Sequence, residues 1–369
     1  MRKKVWAVLL TSAMLASLTA CGGSKEAATT AAAPDTAATE AAAPAGETTA
    51  AEEKKEEAPA SGDASGSVML YSSMQEDQLV AVKEGFEKKY PNVKMDYYFA
   101  GTGKVITKIA TEHQSGQVAA DVIWVGDPSD YIGFKKEGIL AQYSSPEASA
   151  IDSKFIDSEG YYTGARMMNM CIGYNTTLVK AEEAPKTWND LLDPKWKGQI
   201  VMTDPSTAGT TKYFVGALLS NPAYGEDYFK KLKENGCELE SGTTATHNQV
   251  AASAYKVGVM LDYVTQNLMD EGSPLGFTYL DSDIVSIFSP IGLVKGCANE
   301  DNGKLLYDFI LSKEGQEILV ENNLLSVRND VEQKGESVDA IAKSAMEVDL
   351  QSLSDQSDEI INKFDSIFK

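Results

Sequence analysis

From position 67 onward the chain alternates short apolar runs with longer stretches of helical spacing, the pattern of an α/β fold. Val68-Met69-Leu70-Tyr71 predicts a strand. Asp77 to Tyr90 predicts a helix with Leu79, Val80, Val82 and Phe86 on its inner face. Pro91-Asn92 ends it, and Val93 to Phe99 predicts the next strand. Gly101-Thr102-Gly103 turns the chain into a helix from Lys104 to Gln114. Asp121 to Val125 predicts a third strand, ending at Gly126-Asp127-Pro128 before a helix that carries Tyr131 and Phe134.

A second unit follows Arg166. Met167 to Asn175 predicts a strand crossing between lobes, and Trp188 to Leu192 a short helix. Ile200-Val201-Met202 predicts a strand, followed by the small-residue loop Thr203 to Thr211 and a helix over Lys212 to Leu219. His247 to Ala254 predicts a helix and Val257 to Leu261 a strand. Val285 to Phe288, then Pro290 to Val294, predicts a strand returning to the first lobe. Residues 303–320 and 338–369 read as acidic helices. The chain shows no internal repeat.

The first 66 residues break this pattern. Arg2, Lys3 and Lys4 precede an apolar stretch from Val5 to Leu18, too short to span a bilayer and suited to an export signal. Leu18-Thr19-Ala20-Cys21 matches the lipoprotein cleavage motif, so Cys21 is expected to be lipidated. Residues 22–66 are Ala, Thr, Glu and Pro, with too little apolar surface to fold, and are expected to form a disordered tether. Formal net charge is −21, which favours solubility and argues against nucleic acid. Besides Cys21, three cysteines remain, Cys171, Cys237 and Cys297, so one disulfide at most can form. Their spacing fits no zinc motif, and Cys171 reads as a buried small apolar residue.

The candidate chemistry lies in loops that leave a strand and enter a helix through small polar residues. The first unit offers Ser72-Ser73, Gly101-Thr102-Gly103 and Gly126-Asp127. The second offers Ser206-Thr207-Ala208-Gly209-Thr210 and Ser241-Gly242-Thr243-Thr244. In open α/β sheets ligands bind beyond the carboxyl ends of the strands, where free helix N–H groups attract anions. Any one such loop is ordinary N-capping, but two facing sets can clamp a small anion. Enzyme motifs are missing: Ile106 stands where a dinucleotide fingerprint needs its third glycine, and there is neither a P-loop nor a Gly-x-Ser-x-Gly elbow. His113 reads as a solvated side chain. His247 sits at a predicted helix start near the cleft, as a ligand contact or a surface cap. Asp127 and Asp262 read as hydrogen-bonding groups rather than a glycosidase pair. Trp124 and Tyr131 read as core or cleft-wall aromatics.

At this point the sequence resembles family 1 extracellular solute-binding proteins. Tyr71-Ser72-Ser73, the helix end Phe86 to Pro91, and Ala120-Asp121-Val122 look like the family's opening. Tyr174-Asn175-Thr176, Pro185 to Trp188, Asp193 to Gly198, and Lys313 to Gln316 continue the likeness. It covers 67–330 and points to the subgroup of ferric-ion, thiamine, phosphonate and hexose-phosphate receptors. The ferric receptors' paired tyrosines fall here at Leu261-Asp262-Tyr263-Val264, with one tyrosine beside a carboxylate. Their first-loop histidine is replaced by the region of Met74 and Gln75. Their anion loop matches Thr207-Ala208-Gly209.

The resemblance implies a two-lobed periplasmic-binding-protein-like fold of type II. Lobe 1 is expected over 67–166 and 277–300, and lobe 2 over 167–276 with 301–369. It implies a non-enzymatic, monomeric receptor, anchored by lipid on the extracytoplasmic face, that closes on a ligand and delivers it to ABC permease subunits, with no cofactor and no resident metal. The expected ligand is a small phosphorylated anion such as a hexose phosphate or aminophosphonate. Ferric iron is the alternative cargo, and a secreted hydrolase the rival class. The phosphoryl group is assigned to Ser206, Thr207, Gly209 and Thr210, with help from Thr244, and Ala208 of the same loop is a further expected contact. Ser72, Ser73, Gly101, Thr102, Gly103, Asp127, His247, Asp262 and Tyr263 complete the expected site.

Overall fold

The computed structural model describes residues 64–335 and 338–369 of the 369-residue chain. The expected export signal 1–20, the expected lipid site Cys21 and the expected tether as far as residue 63 lie outside the described residues. The strand β1 (Gly66–Ser72) shows why the apolar runs pair: successive side chains alternate, Val68 and Leu70 entering one core and Met69 and Tyr71 another. It lies parallel to β2 (Val93–Phe99) and β3 (Val122–Trp124), with α1 (Glu76–Lys89) and α2 (Thr102–Gln114) as the crossovers. On α1 the buried stripe runs through Gln78, Leu79, Val82 and Phe86. Val80, expected inside, is 37 % exposed, because it lies about 100° around the helix from Leu79.

After α3 (Pro128–Lys136) the chain enters β4 (Thr163–Asn175), a strand of 13 residues buried throughout. Its first half, Thr163 to Asn169, pairs with β9 (Ser286–Leu293), which itself pairs with β3. Its second half, Met170 to Asn175, pairs with β7 (Val257–Leu261) and β8 (Leu275–Thr278). Beyond β7 come β5 (Ile200–Thr203) and β6 (Cys237–Glu240), both parallel. The crossing strand expected at 167–175 is therefore β4, and the chain passes from one half to the other between Asn169 and Met170.

The helices α4 (Gly209–Ser220), α5 (Gly225–Glu234), α6 (Thr243–Ala251) and α7 (Asp262–Asp270) surround the second half. The sequence reading did not anticipate α5, β6, α7 or β8. It also set the starts of α2, α4 and α6 two to four residues late, so that parts of the expected loops are helical first turns. The region 303–320 is two helices, α8 (Glu300–Leu311) and α9 (Lys313–Glu321), separated by Ser312, whose hydroxyl accepts from the Gly315 amide. These were expected on lobe 2. They pack instead on lobe 1, with Phe309 against Phe86 (5.6 Å between centroids) and Ile318 against Gly85. At the C-terminus are α10 (Val338–Ala342), α11 (Leu350–Asp355) and α12 (Ser357–Phe368). The last packs on the second half through Phe364 against Phe229. Cys171, Cys237 and Cys297 are unpaired. No helix among the described residues is long and apolar enough to cross a membrane.

Candidate functional site

Between the halves lies a cavity of ≈ 200 Å³. Five helices begin on it: α1, α2, α4, α6 and α7, whose N-cap residues Gln75, Gly101, Ala208, Gly242 and Leu261 all line it. None of these caps uses its side chain, whereas Asp127 caps α3, Ser312 caps α9 and Asp349 caps α11. The first N–H groups of a helix have no intrahelical acceptor. With the positive dipole ends they make a surface that demands negative charge.

One charged side chain lines the cavity, and the sequence reading passed over it. Arg166 lies on β4, 2 % exposed, between the rings of Trp124 (5.4 Å) and Tyr263 (5.9 Å). Its Nη1 donates a long bond of 3.4 Å to the Gln78 amide oxygen, and its Nε is buried without a partner. Among the described residues no carboxylate pairs with it, and burial pushes its pKa below the usual arginine value. The signal available in the sequence was a lone arginine inside a run of apolar strand residues.

Of the expected contacts, Ser73, Gly101, Thr102, Thr207, Ala208, Gly209, Thr210, Thr244 and Tyr263 line the cavity. Gly103 and Ser206 border the open groove beside it. Four others serve the fold. The Ser72 hydroxyl donates to the Trp124 carbonyl (2.8 Å) and accepts from the Met74 amide. Asp262, expected to touch the ligand, is buried behind α7. It accepts from the Asn169 amide (3.0 Å), Asn169 Nδ2 (2.7 Å), the Tyr263 amide (2.8 Å) and the Tyr279 hydroxyl (3.0 Å). Asn169 also accepts from Ser286, so this network ties both crossing strands at the point where β4 changes halves. His247 is 1 % exposed; its Nδ1–H donates to the Thr243 carbonyl (2.7 Å) and its Nε2 accepts from the Leu261 amide (3.1 Å). Burial holds its pKa down to about 4, which keeps it neutral and structural.

Asp127 accepts from the Ser129 amide and hydroxyl, and it also faces Lys212 at 3.0 Å. Lys212, on α4, bonds Asp130 as well. The halves thus meet through a buried ion triad. Their backbones also touch: a Cβ on Gly103 would stand 2.4 Å from the Ser206 carbonyl oxygen, and one on Gly101 2.8 Å from that of Thr207. The cleft is closed. The loop from Ser206 to Thr210 is partly engaged with itself, since Ser206 donates to Asp204 Oδ1 and Thr207 to the Asp204 carbonyl. His113 is exposed, and Trp124 and Tyr131 are core residues.

Two α/β halves, joined by crossing strands and closed on a donor-lined cavity, define a periplasmic-binding-protein fold. The model of the family "Bacterial extracellular solute-binding protein" matches residues 120–346, and the chain belongs to that family. An uncharacterized protein of Haemophilus influenzae is 30 % identical over 272 residues, 70 % of this chain and 76 % of that one. A putative 2-aminoethylphosphonate-binding periplasmic protein of Salmonella typhimurium is 29 % identical, over 70 % of this chain and 77 % of its own. Among solved structures, AfuA of Actinobacillus pleuropneumoniae with fructose-6-phosphate bound superposes with a TM-score of 0.75. It is 28 % identical, over 83 % of this chain and 99 % of that one. Iron-bound HitA of Pseudomonas aeruginosa superposes at 0.73 but is 18 % identical, over 82 % of this chain and 99 % of that one, a likeness of fold alone. The chain is a solute-binding receptor of an ABC importer, with a small ligand and permease subunits as its partners.

Proposed function

We propose that this receptor captures a small organophosphate or organophosphonate, with the oxyanion between Arg166 and the N-terminal ends of α4 and α6. The observation that carries this reading is the buried guanidinium of Arg166, which has no carboxylate partner in a cavity on which five uncapped helices begin. A buried charge costs several kcal/mol when unpaired, and a bound oxyanion removes that cost. The names of the Salmonella and Actinobacillus relatives, a phosphonate and a sugar phosphate, are of this chemical class. Ferric iron fits less well. Among the described residues no group of three His, Cys, Asp or Glu could hold a metal, and burial raises the Tyr263 phenol above its ordinary pKa. The bound ester is released unchanged rather than hydrolysed. Cys21 carries the lipid that keeps the receptor, a monomer, at the outer face of the membrane.

A thermal-shift screen over phosphorylated metabolites tests the reading, because a ligand at 100 times its dissociation constant adds about 2.7 kcal/mol of stability. Arg166→Met is expected to abolish the shift. A full shift in that variant, or a visible charge-transfer band with iron and an anion in the parent, would overturn it.

A further inference from the structure

The polar groups around the cavity are unbalanced, and the imbalance bears on the ligand's organic part. Among the described residues four buried side-chain nitrogens at or beside the cavity lack a partner: Arg166 Nε, Gln75 Nε2, Gln78 Nε2, whose amide oxygen accepts from Arg166, and Trp124 Nε1, whose ring lies against Arg166. All are donors. Helix N-terminal amides add more donors from five directions. Negatively charged acceptors are missing from the wall. Among the described residues no Asp or Glu lines the cavity. Of the carboxylates around it, Asp262 is occupied by four donors, Asp127 and Asp130 by Lys212, and Asp204 by Ser206 and Lys369, while Asp77, exposed on the first turn of α1, acts on Tyr263 through space without lining the cavity. The aromatic faces help little, since Tyr263 already stacks on Arg166, leaving Phe99 as the open ring on the wall.

An ammonium group brought into this space would lose its water, find no carboxylate, and stand close to a guanidinium. Like charges placed together across a dry interface cost several kcal/mol. We infer that the cleft selects an oxyanion ester whose carbon skeleton is neutral and rejects the zwitterion of similar size. The inference rests on the proposed oxyanion reading and narrows it: the compound named for the Salmonella relative, 2-aminoethylphosphonate, is a poor ligand here. The neutral part of the ligand would meet Met168, Leu261 and Phe99, with a hydroxyl placed to bond Thr102.

Matched pairs test this with the full chain in a calorimeter. One pair is 2-hydroxyethylphosphonate and 2-aminoethylphosphonate; the other is glucose 6-phosphate and glucosamine 6-phosphate. The hydroxyl member of each pair that binds is expected to bind more tightly by about tenfold or more. Gln75→Glu places a carboxylate on the wall and is expected to shift the ratio toward the amino member by a similar factor. Equal or tighter binding of the amino member in the parent protein would overturn the inference while leaving the oxyanion reading intact. An unchanged ratio in Gln75→Glu would also overturn it, by showing that this wall does not face the organic part. Silence from all four compounds, with inorganic phosphate silent too, would overturn the oxyanion reading and the inference with it.

Discussion

Two cations are buried where the halves meet, and they are held in opposite ways. Lys212, its side chain 11 % exposed, stands against two carboxylates, Asp127 and Asp130, on the opposite half. Arg166, 2 % exposed, stands against none. With Asp130 pushed up to about 7 the lysine cluster is close to balanced near neutral pH, whereas the arginine pocket holds a positive charge that no carboxylate offsets. Burying an uncompensated charge is costly, so the arginine, unlike the lysine, is not explained as one member of a stabilising ion pair. The lysine cluster joins α3 to α4 and reports on how the halves meet. The arginine pocket is incomplete without something the protein does not supply. The contrast separates a latch from a ligand site on chemical grounds, without reference to any relative.

The largest expected effect comes from removing the lysine. In Lys212→Met two buried carboxylates lose their shared partner, and breaking a buried pair this way costs about 3–5 kcal/mol. The loss is read from urea midpoints. Its pH dependence has a definite sign. Burial, then the Asp127 charge, against the opposing pull of Lys212, pushes Asp130 up to about 7. A carboxyl raised above its unfolded value of about 3.9 contributes stability that is full below that pH. The contribution is lost as pH rises toward 7. In Lys212→Met nothing opposes the shift, so the decline should be steeper and extend to higher pH. A variant with an unchanged midpoint between about pH 4 and 8 would show that the triad is not a latch.

The arginine should behave in the reverse manner. Arg166→Met removes an unpaired charge and keeps an apolar side chain against Trp124 and Tyr263, so the empty protein should be as stable as the parent or more so. Ligand affinity should fall by about 2–5 kcal/mol, the usual loss when one partner of a buried, bonded charge pair is truncated. A variant that unfolds more easily without ligand would place Arg166 with Lys212 as a structural cation, and the contrast would collapse.

A smaller effect is expected at Asp262. Its two oxygens accept four hydrogen bonds where the strands cross, and an amide in Asp262→Asn must turn an NH₂ toward some of those donors. The cost should be about 1–3 kcal/mol of stability, with ligand affinity changed through the hinge rather than by a lost contact. Equal stability to the parent, with a loss of affinity confined to one ligand, would return Asp262 to the binding site.

These residues also show what the sequence could and could not tell. The alternation of apolar runs with helical spacing located β1 to β4, because burial on a strand or on one helix stripe leaves a periodic trace. The loops after those strands were legible for the same reason: small residues mark where a strand hands over to a helix. Charge partners were not legible. Asp262 and Arg166 are separated by nearly a hundred positions, and nothing local says that Asn169 and Tyr279 will saturate one while the other stays open. Asp127 looked like a ligand contact because it ends a strand; it is spent on Ser129 and Lys212, the latter reached only when the halves close. The helices α8 and α9 were set on the wrong half because their apolar faces do not name the surface they cover.

The smallest effect separates closure from folding. Gly103 occupies the second position of α2, and a methyl there would stand 2.4 Å from the Ser206 carbonyl oxygen of the other half. Backbone cannot yield as a flexible side chain does. In Gly103→Ala the closed cleft must therefore widen, at a cost of about 1–3 kcal/mol for an overpacked contact. The open protein has no such contact, and alanine favours the helix over glycine by about 0.5–1 kcal/mol. Stability without ligand should then rise slightly while affinity falls by about tenfold, two changes of opposite sign from one methyl group. Gly133→Ala on α3, where a Cβ meets nothing within 4 Å, is the control and should change stability alone. Scattering supplies the second readout: the parent should contract when ligand binds, and Gly103→Ala should contract less at saturation. Equal compaction and equal affinity in the two proteins would mean that these backbones do not meet in the ligand-bound state.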